Sequence, residues 1–141
     1  MNVLVDTPVW SLALRRKPAD LSAREQALTE AFAELIREGR VKMMGLVRQE
    51  LLSGIREEER FRKLRDSLRA FEDAVLEAQD YEEAARMHNT CRGRGIAGAA
   101  IDLLICAVAH RRNWQIFTTD CDFERYQHVL GIRLYGVGLA G

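Results

Sequence analysis

The sequence predicts an α/β fold, a three-layer α/β/α arrangement around a central, mostly parallel sheet. Two observations carry this. Short apolar runs alternate with long amphipathic stretches along the whole chain. Such strands, separated by helical crossovers, pair in parallel and are covered on both faces. In addition, acidic residues stand at or just beyond the ends of apolar runs. In a parallel sheet that position is the carboxyl edge, where open α/β sheets bind ligands.

The elements follow in order. Asn2 to Val5 reads as a buried strand, and Pro8 suits the first turn of a helix running through Leu14. Ser22 opens a long helix with Leu28, Phe32, Leu35 and Ile36 on one face, and Gly39 closes it. Val41 to Met44 is a second strand, Leu46 to Ile55 a helix, and Glu57 to Phe71 another, with Phe61, Leu64, Leu68 and Phe71 at helical spacing. Ala74 to Leu76 is a candidate third strand. Tyr81 to Cys91 is helical, and the Gly-rich stretch Arg92 to Gly98 reads as a loop. Asp102 to Arg111 is an almost wholly apolar helix and should be buried. Gln115 to Thr118 is a strand, Asp122 to Leu130 a short helix, and Ile132 to Tyr135 a last strand.

The 141 residues are expected to form a single domain with a real core. No stretch is apolar enough to cross a membrane, and Asp6 interrupts the apolar N-terminal run, so neither a membrane span nor a signal peptide is expected and the cytoplasm is the default location. Cys91, Cys106 and Cys121 are odd in number and form no C-x-x-C pair; His88, His110 and His128 form no zinc-binding spacing. A disulfide framework and a zinc site are both disfavoured. The net charge is zero, which argues against coating nucleic acid by electrostatics alone, but not against gripping phosphates through a metal ion and a few local arginines.

The informative residues are acids. Asp6 ends Val3-Leu4-Val5, Asp120 follows Ile116-Phe117 and two threonines, Asp102 heads the buried helix, and Glu50 lies early in the helix after the second strand. Each has an ordinary explanation as a cap, a turn residue or a solvated helix position. Gathered at one partly buried edge, however, they would repel and their pKa values would rise, a penalty that a divalent cation removes. Oxygen ligands without His or Cys point to Mg²⁺ or Mn²⁺. Such an ion polarises a phosphodiester and activates water.

Four segments carry a family resemblance: Val3-Leu4-Val5-Asp6-Thr7-Pro8-Val9-Trp10; Val47 to Ile55, with an E-L-x-x-G run at Glu50 to Gly54; Gly98 to Ala107 around Asp102; and Thr118-Thr119-Asp120-Cys121-Asp122-Phe123, a T-x-D-x-D-F segment. In this order they resemble the PIN-domain nucleases, and most of all the VapC-type toxins of toxin–antitoxin pairs. Cys106 stands where a small residue is common in that family. The resemblance implies a Mg²⁺- or Mn²⁺-dependent endoribonuclease, a cognate antitoxin that blocks the site, an RNA substrate and frequent homodimers. It places Asp6, Glu50, Asp102 and Asp120 on the family's catalytic and metal-holding positions. Thr118 falls on the hydroxyl position that orients an acid. Thr7 and Asp122 are supporting candidates, with starting the first helix and N-capping the last one as their simpler roles.

RNA needs local cations. Arg15, Arg16 and Lys17 after the first helix, and Arg92 and Arg94 in the Gly-rich stretch before Asp102, are the candidates; ordinary solvated surface is the alternative. Trp10 and Trp114 read as packing residues. A haloacid-dehalogenase-type phosphatase needs a second Asp where this chain has Pro8, and a receiver domain needs a late Lys, whereas none follows Lys63. Two other readings remain: a catalytically idle module that binds RNA or protein, and an RNA-processing nuclease without a toxin role.

Overall fold

The computed structural model describes residues 1–15 and 17–137, residue 15 by its backbone only. Strand β1 (Val3–Val5) leads through α1 (Thr7–Arg15), a short 3-10 turn (Pro18–Asp20) and α2 (Ala23–Arg37) to β2 (Val41–Lys42). Four helices follow: α3 (Gly45–Leu52), α4 (Glu58–Leu68), α5 (Ala78–Gly93) and α6 (Ala100–Arg112). The chain then forms β3 (Gln115–Phe117), α7 (Asp122–Val129) and β4 (Arg133–Leu134). The sheet order is β2-β1-β3-β4, and every pairing is parallel.

The sequence explains this sheet locally. Val3, Leu4, Val5 and Ile116 have no exposed surface and Phe117 has almost none, so the central strands are covered on both sides. Each such side chain contributes roughly 1.5–3 kcal/mol of burial. Helix α6 is buried continuously from Leu103 to Ala109, as its apolar composition requires. Trp10 is core: its Nε1 donates to the Val5 carbonyl at 3.1 Å, and its ring meets Phe32 and Phe71 edge-on at 4.8 and 4.9 Å.

Three expectations are corrected. Ala74 to Leu76 is not a strand. A single parallel bridge joins Met43 to Asp73, and the Ala74 N–H donates to the Met43 carbonyl at 2.8 Å. The segment it pairs with turns into α3 at Gly45, directly after Met44, so the pairing does not continue. The Gly-rich stretch is only partly loop: α5 runs on through Arg92 and Gly93 and turns at Gly95, which holds φ +77°, a conformation that favours glycine. The last strand is also shorter than the expected Ile132 to Tyr135.

Crossovers diverge between β1 and β3, the neighbours at the centre of the sheet. From β1 the chain goes to β2 on one side; from β3 it goes to β4 on the other. A crevice at the carboxyl ends of two such strands is the expected ligand position.

Candidate active site

Asp6, the first residue after β1, is 5% exposed. Its Oδ1 accepts from the Thr7 N–H at 2.9 Å and its Oδ2 from the Thr118 hydroxyl at 2.8 Å. Because Val5 pairs with Phe117, this second bond ties together the carboxyl ends of β1 and β3. The Thr118 hydroxyl gives its one proton to Asp6 and accepts from the Asp120 N–H at 3.0 Å. Asp120 Oδ1 then accepts from the Asp122 N–H at 2.9 Å, opening α7. The capping bond thus comes from Asp120, and Asp122 is the first helical residue rather than the cap.

Glu50 reaches the same edge from α3, its Oε2 accepting from the Thr7 hydroxyl at 2.7 Å. Thr7 therefore starts α1 and orients a site acid at once. Asp102 enters from the first turn of α6, its Oδ2 accepting from the Tyr126 hydroxyl of α7 at 3.2 Å. Asp102, Asp120 and Asp122 each present an oxygen within 4.8 Å of the others. The sequence candidates Asp6, Glu50, Asp102, Asp120, Asp122, Thr7 and Thr118 are thus all linked by bonds or proximity at one edge, and the tightest group includes Asp122.

The electrostatics follow from this crowding. Burial raises the Asp6 pKa against the opposing bonds from Thr118 and Thr7, and the charges of Glu50 and Asp120 add to the rise. Asp102 is pushed up to about 6, first by burial and then by the Asp6 charge; the Tyr126 bond opposes the rise, and Asp120 and Asp122 add to it. Among the described residues one cation pairs with a site acid: Arg125, which is exposed, with Asp122. An oxygen-only donor set with this unrelieved repulsion fits a hard divalent cation. Cys121 is exposed beside it, and Cys91 and Cys106 are buried free thiols.

The cation candidates fare differently. Arg92 and Arg94 are exposed at the end and cap of α5, on the segment leading into α6, and neither has an ion pair among the described residues. Arg16 and the Arg15 side chain lie outside the described residues. Tyr126 escaped the sequence reading. A tyrosine in an amphipathic helix gives no sign of its partner, and the bond to Asp102 spans 24 residues of chain.

A parallel α/β fold with an acidic crevice at its switch point is a nuclease-like framework. The family model described as PIN domain matches residues 3–129, and the chain belongs to that family. PIN domains are divalent-metal-dependent nucleases. The fold is also that of solved structures of low identity. A chain of FitAcB from Neisseria gonorrhoeae matches with a TM-score of 0.75 and 19% identity, over 95% of this chain and 96% of that one. A chain of VapBC2 from Rickettsia felis, bound to a DNA fragment from their promoter, matches at 0.76 and 16%, over 96% and 98%. A chain of a toxin-antitoxin complex from Klebsiella pneumoniae matches at 0.65 and 14%, over 86% and 90%. No curated protein sequence matches the chain.

Proposed function

We propose that this chain is a single-domain Mg²⁺- or Mn²⁺-dependent endoribonuclease, a VapC-type toxin of the cytoplasm that a cognate antitoxin holds inactive. One observation carries the enzymatic reading: five carboxylates, from the end of β1, α3, α6, the β3–α7 turn and the start of α7, converge on one edge with, among the described residues, one surface arginine to offset them. A binding module has no use for such repulsion, which disfavours an idle domain. The toxin role is supported by the shared fold with a chain of a toxin-antitoxin complex and with chains named VapBC2 and FitAcB. A homodimer and an RNA substrate belong to the same reading.

Asp102, Asp120 and Asp122 would hold the ion, with Asp6 and Glu50 as further ligands or partners through water. Bound there, a divalent ion stabilises charge on the phosphodiester and eases deprotonation of water. The Thr118 hydroxyl keeps Asp6 oriented across the two strands, and Thr7 does the same for Glu50. A carboxylate of the group serves as proton acceptor for that water.

The test is cleavage of total cellular RNA by purified protein freed of any co-purifying antitoxin, with Mg²⁺ or Mn²⁺, with chelator, and beside Asp6→Asn. Discrete fragments that need metal and vanish in a folded Asp6→Asn variant are expected. Equal cleavage by that variant would exclude the assignment; no cleavage by folded wild-type protein would favour a binding module.

A further inference from the structure

Four α-helices carry an acid at their third position, and the three whose cap residue is extended, α2, α5 and α6, use it in two ways. In α2, Glu25 folds back and its Oε1 accepts from the Ser22 N–H at 3.0 Å, while Ser22 returns a bond to the Glu25 N–H. In α5, Asp80 Oδ2 likewise accepts from the Glu77 N–H at 2.8 Å. Both acids satisfy an orphan amide at their own helix start. Asp102 holds the same position in α6, behind the cap residue Ala99, which has no side-chain acceptor. Its Oδ2 turns instead to the Tyr126 hydroxyl, which donates to it at 3.2 Å.

We infer that Tyr126 is a positioning residue for the metal site: its hydroxyl, donating to Asp102 Oδ2, holds that carboxylate turned away from its own helix start, toward Asp120 and Asp122. The phenol has one proton and acceptor lone pairs. That proton goes to Asp102. Without the bond the carboxylate is free to fold back on the Ala99 amide, as Glu25 and Asp80 do on the amides of Ser22 and Glu77.

The location suits the role. Tyr126 is 1% exposed and one helical turn along α7 from Asp122, with its ring packed edge-on against Phe123 at 5.2 Å. It therefore fixes the α6 acid relative to the acids on the β3–α7 turn. Gly98 lets the approach to α6 run close to the helix, since a Cβ there would lie 2.7 Å from Leu103 Cδ1. Partners behind a metal ligand govern affinity by 10–100-fold.

The inference rests on the proposed metal site, and the test separates the two. Mn²⁺ binding to wild-type, Asp102→Asn, Tyr126→Phe and the double variant would be measured by paramagnetic resonance of free Mn²⁺, with folding checked by near-ultraviolet circular dichroism. Phenylalanine keeps the ring in its packing and removes only the hydroxyl. Expected is weaker binding in Tyr126→Phe by about 10–100-fold, with less than about 3-fold further loss when the same change is made in Asp102→Asn. Cleavage by Tyr126→Phe should recover toward wild-type kcat as Mn²⁺ is raised, which a general structural defect would not give. Wild-type affinity in Tyr126→Phe, or an equal loss in both backgrounds, would overturn the positioning role while leaving the metal site standing. Equal Mn²⁺ binding by wild-type and Asp102→Asn would overturn the metal site, and the positioning role with it.

Discussion

Asp80 and Asp102 occupy the same position in consecutive helices, yet their surroundings make them opposites. Asp80 has no exposed surface and is met by Arg111 at 2.7 Å and by Arg112 at 2.7 and 3.0 Å. The Arg112 bond, helped by the Glu77 amide and by Arg111 against the cost of burial, holds its carboxyl well below the usual range. Asp102 meets acids and a phenol, and its pKa goes up. The α5–α6 pair thus has an end built for stability and an end where stability is forgone. Placing like charges together costs folding free energy, and chains tolerate this where a ligand is to repay it.

Several experiments would break or sharpen this contrast. The largest effect is expected from Asp102→Asn. RNA cleavage should fall by more than about 100-fold, beyond the loss typical of residues that only support a metal ligand. The metal-free variant should be no less stable than wild type, because repulsion at the site is relieved. Urea unfolding beside cleavage assays reads both quantities, and a large loss of stability would give Asp102 a structural role instead.

Asp80→Asn should show the reverse. It leaves two arginines facing a neutral group, which destabilises by about 2–3 kcal/mol; this is less than for a fully enclosed pair, because both arginines are partly exposed. Cleavage at a temperature where the variant is folded should stay within about 2-fold of wild type.

A smaller effect separates the two acids by pH. The folded-state pKa of Asp102 lies near 6, above its ordinary 3.8, so the folded state binds that proton more tightly. Metal-free protein should therefore gain stability as the pH falls from 7 toward about 5. Asp80 has a folded value below 3.8, so its stabilisation is present above that pH and is lost as the pH falls further. The urea midpoint should rise and then drop, and Asp102→Asn should flatten the rise. A midpoint that falls steadily from pH 7 would contradict the crowded site. Mn²⁺ affinity should weaken over the same interval, as protons compete for the ligands.

The smallest effect is expected from replacing Arg92 and Arg94 together by Ala. As exposed cations on the approach to Asp102, they should raise the KM for RNA a few-fold and leave kcat alone. An unchanged KM across salt concentrations would make them ordinary surface.

Much of this was legible in the residues. Val3-Leu4-Val5 and Ile116-Phe117 read as strands because a strand buried on both faces must be apolar throughout. Asp6 and Asp120 stood out because a charge directly after such a run has few places to go. Ala74 to Leu76 misled because its composition suits a strand, whereas the segment it could pair with turns into α3 at Gly45. Asp122 looked like a helix cap; the cap bond came from Asp120 because the turn after Thr118 is drawn in by two hydrogen bonds.

The sequence by itself determined most of the element types, the parallel sheet and the acids at its edge, because these depend on periodicity, short-range capping and composition. Only the tertiary structure decided how the carboxylates share their edge: that Thr118 bridges β1 and β3, that Thr7 serves Glu50, and that Tyr126 frees Asp102 while two arginines bind Asp80. Each of these is a hydrogen bond or ion pair between residues far apart in the chain. No local pattern encodes such a contact; it exists only once the packed helices have fixed the distances.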